Sequence, residues 1–198
     1  MKKFELTTEF ITNAFGKKLF RIKALVEFGD VKAGELGGYV EKEGNVSQAD
    51  NAWVYGDARV YGDARVSGNA WVSGNAEVYG DAWVRGDAWV RGDARVSGDA
   101  RVSGNAWVSG NARVYGDARV YGDADYALVQ GFGTEFRCTT FYRGKNKKIM
   151  VNCGCFHGDL EGFRKQVKET RNGKIAKEYL MIADLMEYHF TSEDSSNE

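Results

Sequence analysis

From position 53 onward, one apolar spacing governs the chain. Valine recurs every six residues, at 54, 60, 66, 72, 78, 84, 90, 96, 102, 108, 114 and 120. Glycine follows two residues after each valine, then Asp or Asn, then alanine, so the unit reads V-x-G-[DN]-A-x. A period of six is not helical, because positions i and i+6 drift around a 3.6-residue helix. It fits a short strand and a corner. Ala-x-Val places Ala and Val on one face and the intervening residue on the other. At the corner, Gly permits close backbone approach, and Asp or Asn tolerates a positive φ while bonding to nearby backbone.

A strand this short cannot bury its apolar face alone. Three strands per turn, with the turns stacked, give each strand a partner above and below. The spacing of an aliphatic residue and a small one four positions later, as in Val54 to Ala58 and Val60 to Ala64, resembles the hexapeptide-repeat proteins. That resemblance implies a left-handed parallel β-helix with three hexads in each triangular coil. The fold class expected is therefore mainly β, with about five coils and a prism roughly 24 Å tall.

Columns read at every third hexad support the coil length independently. Trp53, Trp71, Trp89 and Trp107 form one column and hold four of the five tryptophans. Arg59, Glu77, Arg95 and Arg113 form a second, and Arg65, Trp83, Arg101 and Arg119 a third. Val and Ala occupy the inside, so these side chains are expected to point outward. The Trp ladder either stabilises neighbouring coils or is covered by another surface, and self-association is the favoured cover. One corner column is uniformly acidic: Asp63, Asp81, Asp99 and Asp117. Local backbone N–H groups and the nearby arginines are expected to compensate it, in preference to a line of cations.

The frame extends backward. Leu36 falls at a Val position, Gly38 and Gly44 at Gly positions, and Val40 and Val46 at Ala positions, so residues 35–52 read as a degenerate first coil. After Ala124 the frame fails. Exposed sheet edges at both ends need caps. KKLFRIKALVEF alternates like a strand and is assigned to the lower one. The divisions expected are an N-terminal cap over 1–34, the β-helix over 35–130, a C-terminal α/β module over 131–190 and a disordered acidic tail over 191–198.

Within the module, TTFYR and IMVNCGCF read as a hairpin around Gly-Lys-Asn-Lys-Lys. Asp159 caps a helix LEGFRKQVKET whose Leu160, Phe163 and Val167 share a face. Asn172-Gly173 breaks it. The following helix, KIAKEYLMIADLMEYHF, is apolar over more than half its surface and is expected to dock on the prism or another chain. Cys153, Cys155 and His157, spaced C-x-C-x-H on one strand, are weak metal candidates. Zinc would need a fourth ligand, and Cys138 is the nearest further sulfur, so core packing is the reading adopted. No metal and no cofactor is expected.

Composition narrows the function. The 198 residues carry a formal charge of −1, 25 glycines, three cysteines and no proline. Neither a bilayer-length apolar run nor a signal-peptide core is present, and an odd number of cysteines suits a reducing cytosol. The repeat carries an Asp in most units and lacks a basic excess, which argues against nucleic-acid binding. Many hexapeptide-repeat proteins are acyltransferases with a His base between subunits, yet residues 35–124 hold no His, no Cys and no Lys after Lys42. FRIKAL, FGDVKAGELGGYVEKEGNVSQ and AWVYGDARVYGDA, with TTFYR and VNCGCF behind them, resemble hexapeptide-repeat proteins of phage and prophage genomes. The resemblance implies a cytoplasmic, non-enzymatic accessory protein. It would form homo-oligomers, trimers by preference, and bind a host protein such as an antiviral defence component. The rival readings are an acyl- or nucleotidyl-transferase and a filament-forming structural protein.

Overall fold

A computed structural model describes residues 2–145 and 147–191. Strands β1 (Phe4–Thr12), β2 (Lys18–Ala24) and β3 (Leu36–Val40) lead into twelve two-residue strands, β4 to β15. These begin at Trp53–Val54 and recur every six residues to Arg119–Val120. Strands β16 (Tyr126–Phe132), β17 (Arg137–Arg143), β18 (Ile149–Cys153) and β19 (Phe156–Asp159) follow, then helices α1 (Leu160–Thr170) and α2 (Gly173–Thr191).

The repeat is a parallel β-solenoid of about five turns. Its strands pair in three parallel stacks, β4-β7-β10-β13, β5-β8-β11-β14 and β6-β9-β12-β15. Every pairing inside the repeat joins residue i to i+18, as in Trp71 to Trp89 and Arg101 to Arg119. The valines, and the alanines from Ala52 to Ala118, fill the interior and are buried.

From Gly56 to Gly116 each corner turns on one left-handed residue. The glycine, rather than the Asp or Asn after it, adopts the positive φ, between 64° and 72° from Gly56 to Gly116. Stacking forces this choice. A Cβ on Gly68 would lie 2.9 Å from the nitrogen and 3.1 Å from the oxygen of Gly86 in the next coil. The following Asp or Asn instead donates its backbone N–H to the glycine carbonyl above, as Asn69 does to Gly86 at 2.8 Å. Asn side chains then donate upward to Asp, Asn69 to Asp87 at 2.9 Å and Asn75 to Asp93 at 3.0 Å. That explains the columns of mixed Asp and Asn. In the uniformly acidic column, Lys42 Nζ lies 2.6 Å from Asp63, and this bond holds the Asp63 carboxyl below its ordinary pKa.

The first turn is longer than its successors. Tyr39 and Val40 of β3 pair in parallel with Arg59 and Val60, and Val46 bridges to Val66. Val40 therefore lies beneath a valine and not, as the frame implied, beneath Ala58.

The solenoid is polar along its axis. Outside the strand ladders the coil-to-coil N–H groups donate upward, as Trp53 N does to Ala70 O, while the paired valines donate downward within the strands. The bottom coil therefore has an excess of orphan carbonyls and the top coil an excess of orphan N–H groups, and the caps match that polarity. Below, β3 extends one stack and joins it to the antiparallel β1-β2 hairpin. Asn45 Nδ2 donates to the carbonyls of Gly62 and Ala64, and Lys3 Nζ to those of Asp50 (2.6 Å) and Ala52 (2.8 Å). Above, Thr140 Oγ1 accepts from Arg113 N at 3.0 Å, and the Asp125 carboxylate accepts from Tyr121 N at 2.8 Å.

The upper cap is the antiparallel sheet β16-β17-β18-β19. It starts at Tyr126, ahead of the expected boundary at 131. Its Tyr142 is buried in the solenoid core, and its other face packs on α1 and α2. Asp159 Oδ1 accepts from Gly162 N at 2.9 Å and caps α1. Arg164 of α1 ties α2 down through Asp184 (2.8 Å) and Glu187 (2.7 Å). The inner face of α2 (Tyr179, Ile182, Ala183, Met186, Phe190) is buried, whereas Met181, Leu185 and Tyr188 form an exposed stripe. Residues 192–198, which hold most of the expected disordered tail, lie outside the described residues.

Candidate functional site

The tryptophan column separates into two parts. Trp71, Trp89 and Trp107 stack along the outside of one face, with ring centroids 5.7 and 5.3 Å apart and planes within 17° of parallel. Trp71 and Trp89 are half-buried, and Trp107 remains 43% exposed. The spacing follows from the strand separation of the solenoid, which brings equivalent side chains face to face. Arg91, one coil below Trp107, lays its guanidinium 4.8 Å from that ring centroid.

Trp53 does not share this surface. It is completely buried beneath the N-terminal segment, with Phe4 and Phe28 edge-on to its indole at 6.0 and 5.3 Å. Its place in an outward column is a consequence of spacing, and its burial a consequence of the cap. The exposed ladder therefore has three rungs.

The two arginine columns solve like-charge stacking in different ways. In the first, Glu77 sits between Arg59 and Arg95, at 3.6 and 3.8 Å. In the second, Trp83 occupies the equivalent place, with the guanidinium carbons of Arg65 and Arg101 at 5.5 and 5.7 Å from its ring. A cation–π sandwich spaces the charges without cancelling them. Arg101 and Arg119 are then adjacent in register, with no acid between. This column is the more basic of the two.

The C-x-C-x-H grouping does not assemble. A turn at Gly154 (φ 62°) and Cys155 splits the expected strand into β18 and β19. Cys153 then faces the helices and accepts from Thr139 Oγ1 at 3.1 Å, while Cys155 is exposed on the turn. His157 pairs across the sheet with Asn152, and its Nδ1 lies 2.6 Å from Asn152 Oδ1. Asn152 in turn donates to Arg113 O at 2.7 Å, so this pair bonds the cap to the solenoid. Cys138 lies against Asn111 O at 3.5 Å, and burial pushes its thiol pKa up, which disfavours the thiolate. Among the described residues, no three His, Cys, Asp or Glu side chains cluster closely enough to hold a metal ion.

Sequence reasoning missed Lys3. It is 5% exposed, and burial lowers its pKa to about 8 against the opposing pull of Asp50. Nothing local marks it, because its carbonyl partners lie 47 and 49 residues away.

Residues 52–68, 58–74, 94–110 and 112–124 match a family model described as the YdcK beta solenoid repeat. The matches lie wholly within the repeat and carry the solenoid reading, not a site. No curated protein matches the chain. Among the described residues, no helix is long and apolar enough to cross a membrane.

Proposed function

We propose that the protein is a non-catalytic scaffold whose solenoid displays Trp71, Trp89 and Trp107 as an association face. Copies of the chain pair through that face, in trimers by preference, and the assembly presents its remaining surfaces to a protein partner in the cytoplasm. The observation that carries this reading is the stacked, partly exposed indole ladder on a frame whose backbone bonds close from coil to coil. Three indoles in register form a flat aromatic strip of the kind enriched at protein interfaces, with Arg91 beside it. The finer reading, a phage-encoded binder of a host protein acting against defence, rests on the resemblance of the flanking motifs.

Light scattering tests it. The wild-type chain is expected to run as a defined multiple of 22.0 kDa, and Trp71→Arg with Trp89→Arg as the monomer. A wild-type monomer at all concentrations would sink the self-association. An unchanged mass in the double variant would remove the ladder as its face.

A further inference from the structure

The basic column ends in a cleft. At its top, Arg119, Tyr121, Asp125, Arg143, Lys145 and Lys147 line an open depression of about 560 Å³ between the last coil and the β17–β18 hairpin. That volume falls within the roughly 300–1,000 Å³ of small-molecule sites. Among the described residues, four cations and one carboxylate line it, on a chain whose formal charge is −1.

The carboxylate is already engaged. Asp125 Oδ1 lies 3.0 Å from Arg143 Nε, and Oδ2 accepts from Tyr121 N at 2.8 Å and Gly122 N at 3.2 Å. Arg119 is fixed differently, by donation from Nη1 to the carbonyls of Asp99 and Ala118, both at 2.9 Å. Carbonyls orient a guanidinium without neutralising it. Among the described residues, no carboxylate lies within ion-pair distance of Arg119, Lys145 or Lys147.

The hairpin itself adds an independent observation. Gly144 N donates to Lys148 O (2.8 Å) and Lys147 N to Gly144 O (3.0 Å), which closes a tight turn with Lys147 at φ 58°. Glycine or Asn is the ordinary occupant of that left-handed position. A lysine held there carries backbone strain, as residues serving a site often do. Tyr121, 50% exposed on the cleft wall, supplies a planar face beside the cations.

We propose that this cleft binds a nucleotide, with its phosphates on Arg119, Lys145 and Lys147 and its base stacked on Tyr121. Paired phosphates match the uncompensated positive charge, and base–aromatic stacking is tolerant of base identity. A longer polyanion fits less well, because the column below the cleft runs beside Asp81, Asp99 and Asp117. The proposal is independent of the Trp ladder.

The test is calorimetric titration of the full chain at low salt with ADP and with inorganic pyrophosphate. ADP is expected to bind, and pyrophosphate about tenfold more weakly for want of the stacked base. Lys145→Gln with Lys147→Gln should weaken both by about tenfold or more. Tyr121→Ala should bring ADP down to the pyrophosphate level while leaving pyrophosphate unchanged. Lys147→Gly, which suits the turn and keeps the fold, should still lose affinity for both. Trp71→Arg with Trp89→Arg should bind ADP as the wild type does, whatever its mass. No ADP binding, or binding indifferent to the lysine substitutions, would overturn the proposal.

Discussion

Replacing one corner glycine by alanine should be severe, and the structure separates the cost into two parts. At Gly68 the backbone sits at φ 69°, where an L-residue costs about 1–2 kcal/mol. An added Cβ would also lie 2.9 Å from Gly86 N, 3.1 Å from its O and 3.3 Å from its Cα. All three neighbours are backbone atoms tied into the next coil, so no side chain can swing away. Overpacking of this kind adds about 1–3 kcal/mol. Gly68→Ala should therefore destabilise by about 2–5 kcal/mol. Two controls isolate the terms. Gly16 has φ 76° and nothing within 4 Å of the added Cβ, so Gly16→Ala should lose only about 1–2 kcal/mol. Gly122 sits at φ −155° with open space around it, so Gly122→Ala should be neutral or slightly stabilising. Urea unfolding followed by tryptophan fluorescence reads all three. If Gly68→Ala proves no worse than Gly16→Ala, the coils yield to an extra methyl. Close stacking would then not be what selects glycine.

Other outcomes follow from the caps and the column. The buried Lys3 titrates at about 8 in the fold and 10.5 in the free chain, so its contribution is complete above 10.5 and is lost as the pH falls through about 8. Stability should rise from pH 8 to about pH 10, before burial of Tyr61 and Tyr142, which raises their pKa values, reverses the trend. Lys3→Met should flatten that rise in thermal melts recorded across the range, and an unchanged slope would remove Lys3 as its source. Trp53→Ala empties a site enclosed by Phe4 and Phe28 and should cost about 3–5 kcal/mol in denaturant titrations. Trp107→Ala, at an exposed end of the ladder with one indole neighbour, should cost about 0.5–1.5 kcal/mol beyond its lost area. Equal losses at the two positions would contradict their assignment to different environments.

The solenoid was legible because its signal is periodic and local. A valine at the same place in every hexad, with a glycine at each corner, dictates strand, turn and stacking partner together, and the tryptophans report the coil length. Asp159 and the face of Leu160, Phe163 and Val167 were legible for the same reason, since capping and helical spacing act over short distances along the chain. Contacts between distant segments were not. Trp53 looks like its three column mates until Phe4 and Phe28, from segments well ahead of it in the chain, are seen to close over it. The extra length of the first turn escaped notice because degenerate hexads carry too little pattern to fix register. Loss of the hexad frame beyond Ala124 left the start of β16 unmarked. The C-x-C-x-H strand failed at Gly154, which broke it into a hairpin and turned Cys153 and His157 to opposite faces. The charge of the upper cleft depends on a hairpin returning to the last coil, and spacing alone does not place it there.

The ladder's role is most directly tested by oxidative footprinting of individual tryptophans on the full chain across a dilution series. Trp53 should stay protected at every concentration, because its cover is intramolecular. Trp71, Trp89 and Trp107 should be modified in dilute protein and become protected together as the concentration rises, with Trp83 on another face unchanged. Protection of the three that does not vary with concentration, in a chain that stays monomeric, would contradict self-association through this face.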